Sequence, residues 1–143
     1  MVTNAAFEAS KIGDLETLKT LPSVTEALID GNRACCLHYA ARGGSLAVIE
    51  YLIKTLSFSA LNRSNTGATA LHDAAAKGNT AVVKWLVENT EIKVDDQDGS
   101  GVTPVHLAAR YRHILTVEVC TNALSNQKLK VGQREPFVVL ISL

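Results

Sequence analysis

Thr69-Ala70-Leu71-His72-Asp73-Ala74-Ala75-Ala76-Lys77-Gly78 is the stretch that decides how this chain folds. It returns upstream as Cys35-Cys36-Leu37-His38-Tyr39-Ala40-Ala41-Arg42-Gly43-Gly44. It returns downstream as Thr103-Pro104-Val105-His106-Leu107-Ala108-Ala109-Arg110-Tyr111-Arg112. The three histidines stand 34 residues apart. An echo at a period of this size marks one supersecondary unit stacked on copies of itself.

Each copy is followed by a second apolar pattern. These are Leu46, Val48, Ile49, Leu52 and Ile53, then Val82, Val83, Leu86 and Val87, then Ile114, Leu115, Val117 and Cys120. Spacings of three and four put such residues on one helical face, so each unit reads as two short antiparallel helices. Thr69 and Thr103 are suited to cap the first helix, and Pro104 follows Thr103 where a missing N–H costs nothing. The Ala-Ala pairs keep that helix thin, so units can approach closely. Gly44 and Gly78 suit the tight turn between the helices. Residues 62–68 and 91–102 are polar and glycine-containing, and read as loops between units.

This pattern resembles the ankyrin repeat, whose signature is Thr-Pro-Leu-His-x-Ala-Ala-x-x-Gly followed by a Val/Leu-rich helix. The resemblance implies an all-α solenoid of helix pairs with hairpin loops, and a protein-binding role without catalysis or cofactor. Two positions depart from the signature. Cys35-Cys36 replaces Thr-Pro, so that unit is expected to lack the usual cap. Arg112 replaces the inter-helix glycine, at a cost on the order of 1 kcal/mol if the turn still needs a positive φ.

A weaker copy opens the chain. Ala9 to Leu18 echoes Ala40 to Ile49 at a spacing of 31 without the Leu-His turn. Residues 4–30 are therefore expected to form an atypical N-terminal repeat, because an end unit must present one face to water. The full units are placed at about 31–64, 65–98 and 99–125, giving a repeat domain over 4–125. Residues 126–143 read as a non-repeat tail, linker-like from Gln127 and apolar and β-prone from Pro136. With no polar cap after the third full unit, the pattern suggests an array cut short and a stack of marginal stability.

Bulk composition bounds the function. Lys plus Arg and Asp plus Glu are 14 each, so the formal net charge is zero. A nucleic-acid binder needs a basic face to meet phosphates, and nothing here supplies one. The apolar run Phe137 to Ile141 is too short to span a bilayer, and no membrane span is expected. The first residues lack a secretory pattern. Together with three cysteines, two of them adjacent, this points to reduced thiols in the cytoplasm.

Several tempting sites weaken on inspection. Histidines one unit apart, ~10 Å, cannot share a zinc ion with bonds of roughly 2 Å. A structural tie between neighbouring loops explains all three copies better. Cys35 or Cys36 with His38 suggests a thiol nucleophile, but sister units carry Thr-Ala and Thr-Pro in those slots. Asp95 to Gly99 lacks the alternate acids and the distal Glu of a calcium loop. No metal site, phosphate loop or hydrolase motif is present.

What remains is the concave surface that the resemblance implies, made by hairpin tips and exposed sides of first helices. The variable slots are Asn32, Tyr39 and Arg42, then Asn65, Thr66, Asp73 and Lys77, then Ser100, Leu107, Arg110 and Tyr111. Arg110 and Tyr111 are the strongest candidates, since Arg and Tyr give large contact area and directed hydrogen bonds. Arg42, Lys77 and Arg110 read as a row facing an acidic or mixed-charge peptide. The competing reading is a merely solvated face. The C-terminal Ile141-Ser142-Leu143 has the form of a segment for carboxylate capture, but a frayed tail or one folded back over the third unit is the reading preferred.

A finer resemblance rests on Arg63 to Ala76, on Trp85-Leu86, and on Gln97-Asp98-Gly99-Ser100-Gly101. These are similar to the N-terminal ankyrin region of the espin family, including the insect Forked proteins, which bundle actin filaments. That likeness implies a cytoskeletal location and a partner such as a myosin tail or another actin-bundle component. The alternative is a generic ankyrin adaptor in signalling or transcription.

Overall fold

Each echo in the sequence becomes a helix pair. The computed structural model describes residues 2–130, with side chains described for residues 4–127. The first pair is α1 (Val2–Ile12) and α2 (Leu15–Thr20), and the second is α3 (Cys36–Gly43) and α4 (Leu46–Glu50). A turn of π-helix, Tyr51–Thr55, prolongs α4. Then come α5 (Ala70–Lys77) with α6 (Thr80–Asn89), and α7 (Pro104–Arg110) with α8 (Ile114–Lys130). Among the described residues there is no strand. Helices α1, α3, α5 and α7 pack side by side, while α4, α6 and α8 line up behind them. This is the all-α solenoid of helix pairs that the resemblance implies.

One core runs the length of the stack, from Ala6 to Leu124. Leu37, Ile49, Leu52, Leu71 and Leu86 are fully buried in it. Ala40, Ala41, Ala74, Ala75 and Ala108 are also fully buried, and their small side chains let the inner helices approach. Full burial of a leucine is worth about 1.5–3 kcal/mol, so this continuous seam is the main source of stability.

The turns follow the expected chemistry. Gly44 and Gly78 are left-handed, with φ of 75° and 71°. Arg112 takes the same turn at φ 63°. The substitution for glycine is thus accommodated by strain on the order of 1 kcal/mol, not by a different turn.

Two expectations change in the last pair. The sequence pattern puts Ile114 and Leu115 on the apolar face of its second helix, yet each is 67% exposed. The buried stripe of α8 is Thr116, Cys120, Ala123 and Leu124. Thr116 stands at the register of Val82, and its hydroxyl meets that of Thr80 at 2.8 Å, which lets a polar side chain occupy a buried slot. Ile114 and Leu115 take the registers of Thr80 and Ala81, on the first turn, away from the seam. Residues read as linker from Gln127 onward are helical as far as Lys130. The Gln127 amide accepts from the Val94 N–H and donates to the Ile92 carbonyl, both at 3.2 Å, so α8 is anchored to the loop of the preceding unit. The β-prone segment from Pro136 and the C-terminal Ile141 to Leu143 lie outside the described residues.

Candidate functional site

His38, His72 and His106 lie in the first turn of α3, α5 and α7, and their bonding pattern sets their tautomer. In α5 the Thr69 hydroxyl accepts the His72 backbone N–H at 3.4 Å, and the ring Nδ1 accepts the Thr69 N–H at 3.2 Å. The ring nitrogen that accepts holds no proton, so the other nitrogen carries it. That Nε2 donates to the Val102 carbonyl of the next unit at 2.9 Å. His38 does the same to the Ala68 carbonyl at 3.0 Å. These two rings are struts between consecutive loops.

The cap expected to be missing in α3 is only half missing. Nδ1 of His38 still accepts the Cys35 N–H at 3.2 Å, while the thiol stands 3.6 Å from that nitrogen. His106 repeats the cap with Thr103, at 3.3 Å from the N–H and 2.6 Å from the hydroxyl. Among the described residues, no carbonyl meets its Nε2.

Burial holds His72 below its ordinary value of 6.5, against a weaker opposing effect of the Val102 carbonyl. The sign of the resulting pH dependence is definite. The unfolded chain takes the proton first, so this contribution is full above pH 6.5 and is lost as pH falls below it. The expected result is a urea midpoint that drops between pH 7 and 5.5, as the free energy of unfolding falls by up to about 1.4 kcal/mol per pH unit for the ring. Asp73 works in the opposite sense, because its burial raises its carboxyl despite Arg42 beside it. Its effect belongs to the carboxylate range, nearer pH 4. A midpoint unchanged over that upper window, or one that rises on acidification, would contradict the assignment.

A fourth histidine was not singled out by its sequence context. His113 reaches back to the Ala76 carbonyl, Nε2 to oxygen at 3.0 Å. The equivalent residue one unit earlier, Asn79, gives its amide to the carbonyls of Ala41 at 2.7 Å and Arg42 at 3.1 Å. One unit earlier again, the Ser45 hydroxyl donates to Lys11 at 3.2 Å. Three different side chains close the end of the preceding inner helix.

The hairpin tips are joined by backbone. The Asn65 N–H donates to Asn32 and the Gly99 N–H to Thr66, each at 2.8 Å. Asp30 and Asp98 shape two of these tips alike. Asp98 accepts the N–H groups of Ser100 at 2.8 Å and Val102 at 2.9 Å. Burial opposes its charge, but those N–H bonds outweigh it and hold the carboxyl below 3.8. The acidic stretch at 95–99 is thereby a structural hairpin. Among the described residues, no group of three His, Cys, Asp or Glu is placed to hold a metal ion. Burial also raises the thiols of Cys35 and Cys36, the reverse of what a nucleophile needs, and pushes Cys120 up to about 12.

The proposed contact residues divide into two groups. Tyr39, Arg42 and Asp73 are half-buried and linked through Arg42. The Tyr39 ring stacks on Phe7 at 4.5 Å, its hydroxyl donates to Asp30 at 2.6 Å, and the Arg42 guanidinium lies 5.1 Å from its centroid. Arg42 Nε also pairs with Asp73 at 3.2 Å across the junction of two units. This cluster ties the first units together and cancels much of the positive charge expected from Arg42. Asn32, Asn65, Thr66, Lys77, Ser100, Arg110 and Tyr111 are exposed, and Leu107 is half-buried. Lys77 stands one residue further along its helix than Arg42 and Arg110 on theirs. Exposed cation and ring therefore concentrate at the end of α7, where Tyr111 is 54% exposed and 6.5 Å from the His113 ring.

No described helix is long and apolar enough to cross a membrane. A family model described as ankyrin repeats (3 copies) matches residues 6–98 and 62–130. No curated protein matches the chain.

Proposed function

Because the chain belongs to the ankyrin-repeat family, whose repeats act as protein–protein interaction modules, we propose that it holds a partner segment along the exposed side of its inner helices and hairpin tips. The contact centres on Arg110 and Tyr111 and extends to Lys77 and to the hairpin-tip residues Asn65, Thr66 and Ser100. The carrying observation is the exposed Tyr111 ring next to an exposed Arg110, the residue types that dominate binding energy at interfaces. Arg42 and Asp73 already satisfy each other, so the charge left for a partner comes from Lys77 and Arg110. An acidic or mixed-charge peptide suits it.

The likeness to espins and Forked proteins supplies the partner class: a component of actin bundles, such as a myosin tail, met in the cytoplasm at the cytoskeleton. In a pull-down with a myosin tail fragment, Arg110→Ala with Tyr111→Ala is expected to weaken capture by more than about tenfold while helicity is unchanged. Capture equal to that of the parent chain would sink the site. Failure of the parent chain to capture the fragment would sink the partner.

A further inference from the structure

The outer row carries a repeated device. Lys19 Nζ lies 5.8 Å from the centroid of the Tyr51 ring, and Lys54 Nζ lies 5.5 Å from that of Trp85. Tyr51 and Trp85 are 34 residues apart, and both rings pack half-buried against the core. They fill the same slot at successive junctions of the outer helices. A cation over such a ring is attracted by the negative face of its π-system.

The next position in this series, 34 residues on, is Val119. The ring is gone. The charges reverse at the same junction: Glu50 and Lys54 in one unit become Lys84 and Glu88 in the next. Between α6 and α8 there is correspondingly a groove of about 810 Å³, with Val87, Val119 and Ala123 on its apolar side and Lys84, Glu88 and Asn122 on its polar side. That volume lies in the range of sites that enclose a ligand, roughly 300–1,000 Å³.

We propose that this groove binds a segment of a partner protein that brings the missing ring: an aromatic side chain with a lysine or arginine beside it. The ring lies on Val119 and the cation meets Glu88. The chain itself uses this pairing of ring and charge twice, with the lysine supplied from within. Here the rim offers a carboxylate in place of the ammonium, so the cation must come with the ring. Lys84, one turn earlier on α6, sets the direction and favours an acidic or amide group at the other end. The groove lies on the outer row, whereas the surface around Arg110 belongs to the inner one, so the two contacts are independent.

The test uses the full chain, isotope-labelled for amide NMR, titrated with the blocked peptides Ala-Trp-Lys-Ala, Ala-Trp-Glu-Ala and Ala-Leu-Lys-Ala. The expected shifts fall on the amides around Lys84 to Glu88 and Val119 to Ala123. The Trp-Lys peptide should bind at least about fivefold more tightly than either of the others. Glu88→Lys should transfer the preference to the Trp-Glu peptide. Val119→Trp should fill the groove from within, abolish the shifts and raise the melting temperature. If that variant fails to fold, the charge reversal at Glu88 still decides. Absence of shifts at the groove, or equal binding of the leucine peptide, overturns the proposal. So do shifts that appear only after Phe137→Ala, which assign the groove to the chain's own ring, and self-association abolished by Val119→Trp, which assigns it to a second copy.

Discussion

His72→Ala is expected to lower the free energy of unfolding by about 3–4 kcal/mol. The substitution removes a fully enclosed ring and leaves two backbone groups without partners. The Thr69 N–H loses its acceptor, and the Val102 carbonyl of the next unit loses its donor. A buried polar group left unpaired costs about 1–3 kcal/mol, and the cavity adds to that. His106→Ala makes the contrast. Its ring caps Thr103, but among the described residues it reaches no carbonyl beyond. Its expected cost is about 1–2 kcal/mol. Urea unfolding of the two variants checks the order. Equal losses would mean that the rings act only as caps, and the strut between loops would have to be abandoned.

Gly43→Ala is expected to destabilise the chain by about 3 kcal/mol, although helix propensity alone predicts the opposite. In an open helix, alanine is favoured over glycine by about 1 kcal/mol. Here a Cβ on Gly43 would lie 1.8 Å from the backbone oxygen of Lys11 and 2.8 Å from its carbonyl carbon. Those are main-chain atoms of α1, so no side chain can swing aside. The inner helices must separate, and the Ser45 bond to the same oxygen is lost. The loss should be local. Amide exchange at Ala6 to Ser10 should accelerate sharply, while α5 to α8 keep their protection. Lys77→Ala, at the equivalent register of the next unit and exposed, should stay within about 0.5 kcal/mol of the parent. A Gly43→Ala chain more stable than the parent would show that α1 is not seated where the structure puts it.

Much of this architecture is legible because the backbone repeats. His38, His72 and His106 share the capping job at the start of their helices, so their common neighbours expose it. Arg112 advertises its strained turn by standing where Gly44 and Gly78 stand. The side chains that close the junctions are less legible. Ser45, Asn79 and His113 do one job with three chemistries, and a periodic reading sees three unrelated polar residues. Tyr39, Arg42 and Asp73 looked like free surface for the same reason. Their partners, Asp30 and each other, are supplied at separations of 9 and 31 residues that no repeat signature covers. In α8 the apolar residues Ile114 and Leu115 are exposed while the polar Thr116 is buried. The buried stripe there follows register, not hydrophobicity of the first turn.

The reach of Ser45, Asn79 and His113 has a consequence for how such a chain can be rebuilt. The landing place of each differs. Above Gly44 a Cβ would sit 3.0 Å from the Asn79 Oδ1, and above Gly78 one would sit 2.5 Å from the His113 ring. Lys11 accepts its hydroxyl only because Gly43 lets α3 come close. The units are alike in outline but carry matched edges, as cut keys do. Dealt in another order, they would meet neighbours whose donors are too short or too wide for the gap. The 34-residue blocks are therefore not interchangeable parts, and the order in which they are strung is itself encoded information.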